Sequence, residues 1–268
     1  MKKFKMTQLE NVMYAKRNLV DYIWKSANLE GVMLTFPETD SIYNGFISQG
    51  ISVSDFLLVN NLKRAWSFIF DTIDYPLDFD YVTYLHGKIG LDIIHKPGVV
   101  RETGVEIRGT NWKPEIPNLS KILKDFKAIE VIADPTDRAL TLMCYLMRQQ
   151  VFHDGNKRTA MMAANQILIQ NGCGIVSIAQ EQQSEFFDRL LAYYETGNME
   201  PLKKFLYEHA LEGTDFEPAS AEEIERVKAV NQKFDELIEK KRTEALEQLF
   251  REGISTKEAL GSVADEQK

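Results

Sequence analysis

The chain has 268 residues, of which 44% are hydrophobic, so it is long enough for one large domain or two small ones with a buried core. Its formal net charge of −8 excludes a broadly basic surface, and neither nucleic acid nor an anionic membrane is an expected partner. A local positive pocket is compatible with this charge.

The cysteine count and the N-terminus indicate a cytoplasmic protein. Cys144 and Cys173 lie in apolar sequence and are predicted to be reduced thiols, not a disulfide or a metal site. Gln8, Glu10 and Asn11 interrupt any apolar signal core near the N-terminus. No later segment reaches the roughly 18 apolar residues that a membrane-spanning helix needs.

Helical periodicity dominates the first hundred residues, where apolar side chains recur three and four positions apart. The recurring residues are Val20, Ile23 and Trp24; Leu57, Leu58, Leu62, Trp66, Ile69 and Phe70; and the apolar positions from Phe79 to Ile94. The predicted fold class is therefore all-α with a small β element.

The β element is predicted within Arg101–Pro117. Val105 and Ile107 alternate there with charged residues, and glycine, asparagine and proline supply the turns. This pattern predicts one short β-hairpin on a helical body.

The next segment is predicted to fold as a helix, a tight loop and a second helix. Asp134 is a candidate N-cap with Pro135 at the first helical position, followed by an apolar stripe of Leu140, Met143 and Met147. The second helix starts near Asn156 and ends at Asn171–Gly172, a pair that suits a left-handed C-cap. Its apolar residues are Ala160, Ala163, Ala164, Ile167 and Leu168.

The C-terminal part, Ala221–Glu252, is rich in Glu, Lys and Arg and predicts one long or broken helix with a thin apolar stripe. We interpret it as a solvated helix packed on its own domain or as a helix that binds a partner or a second copy. The predicted domains are residues 1–100, 101–215 and 220–268. The stripe consists of Ile224, Val227, Phe234, Ile238, Leu246 and Leu249.

The loop before the second helix has the residue types of an anion site. A helix that starts after Gly155 presents free N–H groups and the positive end of its dipole. Lys157 and Arg158 add positive charge, Asn156 tolerates the turn, and Asp154 suits a divalent cation bridging phosphates. The alternative is an ordinary exposed turn in which Asp154 caps the helix.

Three separated motifs resemble those of one known family. Gln150–Arg158 reads Q-x-F-x-D-G-N-K-R and resembles the signature of the Fic (Fic/Doc) family, H-x-F-x-[DE]-G-N-[GK]-R, with glutamine at the histidine position. Ser26–Gly31 resembles the family's inhibitory motif, [ST]-x-x-x-E-[GN], and Arg101–Pro117 is similar to its β-hairpin flap. The resemblance extends over roughly Met1–Leu211 and implies a helical bundle with the flap facing the signature loop.

The resemblance also implies an activity. Most family members transfer AMP from ATP to a hydroxyl of a protein target (Ser, Thr or Tyr), with Mg²⁺ bound by the carboxylate at the position of Asp154. The loop histidine accepts the proton of the target hydroxyl. The implied nucleotide-binding residues are Phe152, Asp154, Gly155, Asn156, Lys157 and Arg158.

Two further roles follow from the resemblance. The flap, with Val105, Glu106 and Ile107, is expected to bind an extended segment of the target as an added strand. The inhibitory motif contributes Ser26, Glu30 and Gly31, and Glu30 is expected to fill the space that the γ-phosphate needs.

The sequence departs from the family pattern at two positions. Met161 stands where related inhibited proteins carry a second arginine, so Glu30 is expected to pair with Arg158 or Lys157. Gln150 stands at the position of the histidine, and its amide has no useful basicity, although it has the groups to orient a hydroxyl. Loss of a positioned base costs roughly 10² to 10⁴ in rate. His153 is expected to be an exposed loop residue that points away from the target.

These departures leave several functions open. The first is an autoinhibited and impaired adenylyltransferase, and the second is a nucleotide-binding pseudoenzyme that binds a partner through the flap. Glu30 also has the chemistry to position a water that removes AMP from a target. A branch of the family with an N-K-R-T loop transfers the γ-phosphate instead, and "NKRTA" shares that lettering.

Overall fold

The computed structural model describes residues 3–46 and 49–215, and in the C-terminal part residues 225–226, 228–230, 232–233, 236–241 and 243–244. The chain divides into two compact units, Met1–Phe216 and Glu217–Lys268. The first unit contains every predicted site residue and all the predicted helices except the one in Ala221–Glu252, which lies in the second unit.

The first unit is a helical bundle, which confirms the all-α prediction. Its helices are α1 (Gln8–Arg17), α2 (Leu19–Leu29), α3 (Phe36–Tyr43), α4 (Val53–Asp71), α5 (Phe79–Gly90), α6 (Leu119–Glu130), α7 (Pro135–Gln149), α8 (Asn156–Gln170), α9 (Gln183–Thr196) and α10 (Glu200–Phe205). A 3₁₀ turn, Gln180–Gln182, precedes α9, and a π turn, Leu206–Ala210, follows α10. Two short strands, β1 (Ile175–Val176) and β2 (Leu211–Glu212), pair antiparallel.

Local sequence explains where most of these helices begin. Thr7 and Thr35 form reciprocal capping boxes at the starts of α1 and α3, with the glutamate three residues later. The predicted N-cap Asp134 accepts a hydrogen bond from the amide of Asp137, and Pro135 is the first residue of α7. The predicted end of α8 is also confirmed, since the helix stops at Gln170 and Gly172 has φ of +64°.

The core of the bundle is centred on α7 and α8. The predicted stripe of α7 is fully buried, and α8 is buried along almost its whole length. Cys144 and Cys173 are free, buried thiols, and burial raises the pKa of Cys144 to about 12. The short side chains of α8 let α7 approach closely, and this packing fixes the loop between the two helices.

Two predictions about local structure are wrong. The Arg101–Pro117 segment contains no strand; it is an extended loop, and the two strands of the described chain are β1 and β2. The alternation of Val105 and Ile107 has a different cause, because both residues are half-buried, with Ile107 packed against the core, while their neighbours face solvent. Helix α5 ends at Gly90, before the predicted Ile94, because the following turn packs back onto that glycine.

The second unit is helical in the residues that the structure describes. Ile238 of the predicted apolar stripe is 49% exposed. The side chains of the other five stripe residues lie outside the described residues. No helix among the described residues is both long and apolar enough to cross a membrane.

Candidate functional site

The loop between α7 and α8 is a tight turn held by a single asparagine. The Asn156 side chain accepts a hydrogen bond from the amide of Phe152 at 2.9 Å and donates to the carbonyl of the same residue at 2.8 Å. Asn156 is buried, so these bonds are protected from water. The loop therefore has one defined shape.

The N-terminus of α8 is free of a side-chain cap. Its N-cap is Gly155, with φ of +75°, and no side chain accepts hydrogen bonds from the first turn of the helix. The positive φ of Gly155 favours glycine, and a methyl group there would lie 2.7 Å from Ile94 Cδ1, which would have to move, and 3.4 Å from the His86 ring. The uncapped amides and the helix dipole make this turn suitable for an anion.

Glu30 lies beside the cations of this turn. It is the C-cap of α2, and Gly31 follows with φ of +81°, which turns the chain away and leaves the carboxylate at the end of the helix. Glu30 Oε2 lies 3.7 Å from Lys157 Nζ, and Oε1 lies 3.7 Å from Arg158 Nε. Ser26, the other predicted motif residue, is buried one helical turn earlier.

The ion pair between Glu30 and Arg158 is close but makes no hydrogen bond. Glu30 Oε1 and Arg158 Nε are both buried without a hydrogen-bond partner, and Arg158 Nη2 lies 3.4 Å from Asp154 Oδ2. Met161 is buried in the core and carries no charge, whereas Lys157 Nζ lies 3.7 Å from Glu30. The site thus holds two acids, Glu30 and Asp154, against two cations, and Glu30 and Arg158 both retain unused hydrogen-bonding capacity.

The side chain of Gln150 is hydrogen-bonded to its protein neighbours. Its backbone is left-handed, with φ of +47°, and it ends α7. Its Nε2 donates to the carbonyl of Met147 at 2.6 Å and to the hydroxyl of Tyr194 at 3.4 Å, and its Oε1 accepts from Asn156 at 3.1 Å. Both amide hydrogens and one lone pair are in use, so little capacity remains to orient a hydroxyl.

His86 is a residue that the sequence analysis did not assign to the site. Its Nδ1 accepts a hydrogen bond from the amide of Gly98 at 2.7 Å, so Nε2 carries the proton and donates to the carbonyl of Asp154 at 2.9 Å. The ring stacks on Phe152 at 3.7 Å. Burial lowers the pKa of His86 to about 4 against an opposing hydrogen bond to Asp154, so the ring is neutral.

A cavity of about 500 Å³ opens in front of the loop. His153 lines it and is half-buried, which corrects the expectation of an exposed residue pointing away. The lining residues come from the end of α2, the Arg101–Pro117 segment, the signature loop and α9: Glu30, Val105, Glu106, Ile107, Arg108, Gln150, His153, Asp154, Asn156, Lys157, Phe187, Leu190, Leu191 and Tyr194.

The Arg101–Pro117 segment forms one wall of this cavity. Val105 and Ile107 line it with half-buried side chains, whereas Glu106 is exposed and pairs with Lys113 at 2.7 Å. Because the segment contains no paired strand, its backbone N–H and C=O groups are not committed to a sheet.

The predicted site residues therefore come from three distant parts of the chain. Glu30, the Arg101–Pro117 segment and the loop from Gln150 to Arg158 meet around a single cavity. A sequence profile of the Fic/DOC family matches residues 76–168, a range that includes the Arg101–Pro117 segment and the loop from Gln150 to Arg158. Residues 76–168 of the chain are similar to a Fic domain.

Solved structures support the same assignment of the fold. Fic-1 from C. elegans superposes with a TM-score of 0.64 at 20% identity, over 73% of this chain and 62% of that one. A Fic domain containing signaling protein from Bacteroides thetaiotaomicron gives 0.61 at 20% identity, over 71% and 77%. A Fic family protein from Desulfovibrio desulfuricans gives 0.59 at 14% identity, over 77% and 73%.

These similarities identify the fold and nothing narrower. The chain spans about 62% of the C. elegans protein structure that it matches. No curated protein matches its sequence. The resemblance to the Fic family and the helical fold that it implied are confirmed.

Proposed function

We propose that the Fic domain of this chain binds a nucleoside triphosphate, ATP in the first instance, in the cavity before α8. The proposed activity is that of an adenylyltransferase acting on a protein hydroxyl, restrained by Glu30 and impaired at Gln150. The observation that carries the proposal is the meeting of Glu30 with Lys157 and Arg158 at the uncapped start of α8.

Phosphate chemistry accounts for the residues at this point. An anion at the start of α8 gains hydrogen bonds from its free amides and charge from Lys157 and Arg158. In the chain as it stands, the Glu30 carboxylate takes the place of an anionic group beside those two cations. A γ-phosphate in the same place would meet both the volume and the negative charge of Glu30.

The donor set fits Mg²⁺ bound mainly by phosphates. Asp154 is two-thirds exposed, and its Oδ1 accepts from the amide of Gly155, which leaves the carboxylate facing solvent at the edge of the cavity. Mg²⁺ commonly uses one or two carboxylates together with phosphate oxygens and waters. Asp154 would hold the ion, which would draw the phosphate oxygens together and offset their charge.

The target is proposed to bind along the Arg101–Pro117 segment. Its backbone groups between Thr103 and Glu115 are not paired in a sheet and suit an extended peptide that adds as a strand beside Val105 and Ile107. Glu106 and Lys113 on the exposed side supply charged contacts.

A second function, a nucleotide-binding pseudoenzyme, is favoured by the bonding of Gln150. Proton removal from a hydroxyl needs a group with free basicity within hydrogen-bonding reach. Gln150 has none, and its amide is tied to Met147, Tyr194 and Asn156. In this case the nucleotide stabilises the site, and the output is binding of a partner at the Arg101–Pro117 segment.

Transfer of label from ATP labelled in the α-phosphate separates the two functions. The wild type, Glu30→Gly and Gln150→His are each incubated with Mg²⁺ and the labelled nucleotide, and label on the protein itself or on added protein is counted. Transfer by Glu30→Gly supports a restrained enzyme. Transfer only after Gln150→His identifies the natural chain as a pseudoenzyme.

The double variant Glu30→Gly, Gln150→His completes the comparison. If it binds nucleotide but transfers no label, the adenylyltransferase proposal is wrong and the pseudoenzyme function remains. The control is Asn156→Ala in the same double variant, which removes the hydrogen bonds that shape the loop and should abolish any transfer.

A further inference from the structure

Arg101 is buried in an unusual setting for a charged side chain. It is 1% exposed, and burial lowers the pKa of its guanidinium, with no described carboxylate paired to it. Its side chain donates instead to main-chain carbonyls: Nε to Gln150, Nη1 to Thr103 and Nη2 to Glu115. Burying a charge without a counter-ion is costly. The hydrogen bonds from the guanidinium to three carbonyls offset part of this cost and hold those carbonyls in fixed positions.

These bonds join both ends of the Arg101–Pro117 segment to the signature loop. The backbone of Arg101 adds a further bond by donating to the carbonyl of Val151 at 3.0 Å. Thr103 and Glu115 are brought to one guanidinium, and the same group holds the carbonyl of Gln150, whose left-handed backbone needs support from its surroundings. A displacement of Thr103 or Glu115 is therefore transmitted to Gln150 through the Arg101 guanidinium.

A second connection runs through aromatic side chains. Trp112 stacks on Tyr194 with ring centroids 5.4 Å apart, and the guanidinium of Arg148 lies 4.7 Å from the centre of the Trp112 ring. Tyr194 in turn accepts a hydrogen bond from the Gln150 side chain. The Arg101–Pro117 segment therefore contacts Gln150 in two ways. Arg101 binds the main-chain carbonyl of Gln150, and Trp112 reaches its side chain through Tyr194.

We propose that Arg101 is a positioning residue that couples the Arg101–Pro117 segment to the signature loop, so that a partner bound along the segment and a nucleotide bound at the loop change each other's affinity. The nucleotide half of this statement rests on the proposed function. The coupling itself rests on the contacts of Arg101 and Trp112, and it operates with or without catalysis. Reciprocity follows because both events act on one connected unit.

Hydrogen exchange of the full chain, followed by mass spectrometry, tests the coupling without any ligand. Arg101→Met, Arg101→Lys and Trp112→Leu are compared with the wild type at residues 102–115 and 150–156. Each variant should speed exchange in both segments by about tenfold, which corresponds to the loss of roughly one net hydrogen bond for the Arg101 variants and of one aromatic stacking contact for Trp112→Leu. Trp112→Leu is decisive, because Trp112 has no hydrogen bond to the loop and is only half-buried.

Two references separate coupling from general loss of stability. Helix α4 should exchange as in the wild type, and Arg64→Met, at an exposed arginine on α4, should leave both segments unchanged. If Arg101→Met does not fold, the coupling is judged from the exchange rates of Trp112→Leu in residues 102–115 and 150–156. Faster exchange in 102–115 alone, with 150–156 as in the wild type, overturns the proposal.

Addition of Mg²⁺ and ATP tests the nucleotide half. In the wild type, nucleotide should slow exchange at both 150–156 and 102–115, whereas in Arg101→Lys it should slow exchange at 150–156 alone. Equal protection of both segments in the variant overturns the assigned role of Arg101. If nucleotide protects neither segment while the ligand-free coupling is present, the proposed nucleotide binding fails and the coupling stands.

Discussion

The stability of the domain should fall in a defined pH range because of His86. The ring is fully buried, and its pKa is lowered from 6.5 to about 4, chiefly by desolvation. Between these two values the unfolded chain binds a proton at His86 and the folded chain does not, so stability is complete above about pH 6.5 and falls as the pH approaches 4. A difference of about 2.5 pKa units corresponds to roughly 3 kcal/mol of unfolding free energy.

The loss has a structural cause that can be tested by substitution. A protonated His86 would carry hydrogens on both nitrogens, so Nδ1 could no longer accept from the amide of Gly98. Urea unfolding of the wild type and of His86→Gln should be compared at about pH 7.5, 6, 5 and 4.5, conditions chosen to span the titration. Carboxylates titrate in both proteins, and the difference between the two curves isolates His86.

The expected result is a stability difference that shrinks by roughly 3 kcal/mol as the pH falls, within a factor of two. Two pH profiles of the same slope would contradict the reasoning, since they would mean that His86 has the same proton affinity in the folded and unfolded chains.

Three further substitutions address the loop. Glu30→Gly should raise the affinity for Mg²⁺ and ATP about tenfold in calorimetry, whereas Glu130→Gln, at an exposed glutamate outside the cavity, should not change it. Gly155→Ala should lower the unfolding free energy by at least about 1 kcal/mol, because of its positive φ and a contact at 2.7 Å, while Gly87→Ala inside α5 should raise it slightly; a neutral Gly155→Ala would contradict the loop geometry. Asp154→Asn should remove most of the Mg²⁺ dependence of nucleotide binding, and an unchanged dependence would exclude Asp154 as the ion's ligand.

The helices and the loop could be predicted from sequence because their signals are local. Asp134 with Pro135, and Asn171 with Gly172, mark helix ends through backbone preferences that need no tertiary context. The Gln150–Arg158 motif was sufficient to locate the turn between α7 and α8, and the structure places Glu30 beside its cations.

The β-hairpin was predicted wrongly because alternation has more than one cause. Val105 and Ile107 alternate with exposed residues as in a strand, but the half-buried face is produced by packing against the body of the domain and not by a paired strand. Sequence reports which side of a segment is buried, and it does not report whether a hydrogen-bonding partner exists.

The roles of Arg101 and His86 could not be predicted from sequence. A single arginine in a polar segment and a single histidine in an amphipathic helix carry no periodic or spacing signal. Their importance lies in long-range hydrogen bonds, from Arg101 to Gln150 and from His86 to Asp154, which join positions 49 and 68 residues apart. His153 was placed on the wrong side for the same reason, because the direction of a loop side chain depends on the packed loop.

We propose that the loop before α8 is a nucleotide site, and titration calorimetry with Mg²⁺ and ATP on the wild type, Glu30→Gly and Asn156→Ala tests this proposal. We expect binding by the wild type, tighter binding by Glu30→Gly, and binding weakened at least about tenfold by Asn156→Ala, which loses the hydrogen bonds that shape the loop. Absence of binding heat in both the wild type and Glu30→Gly, with both proteins folded, would contradict it.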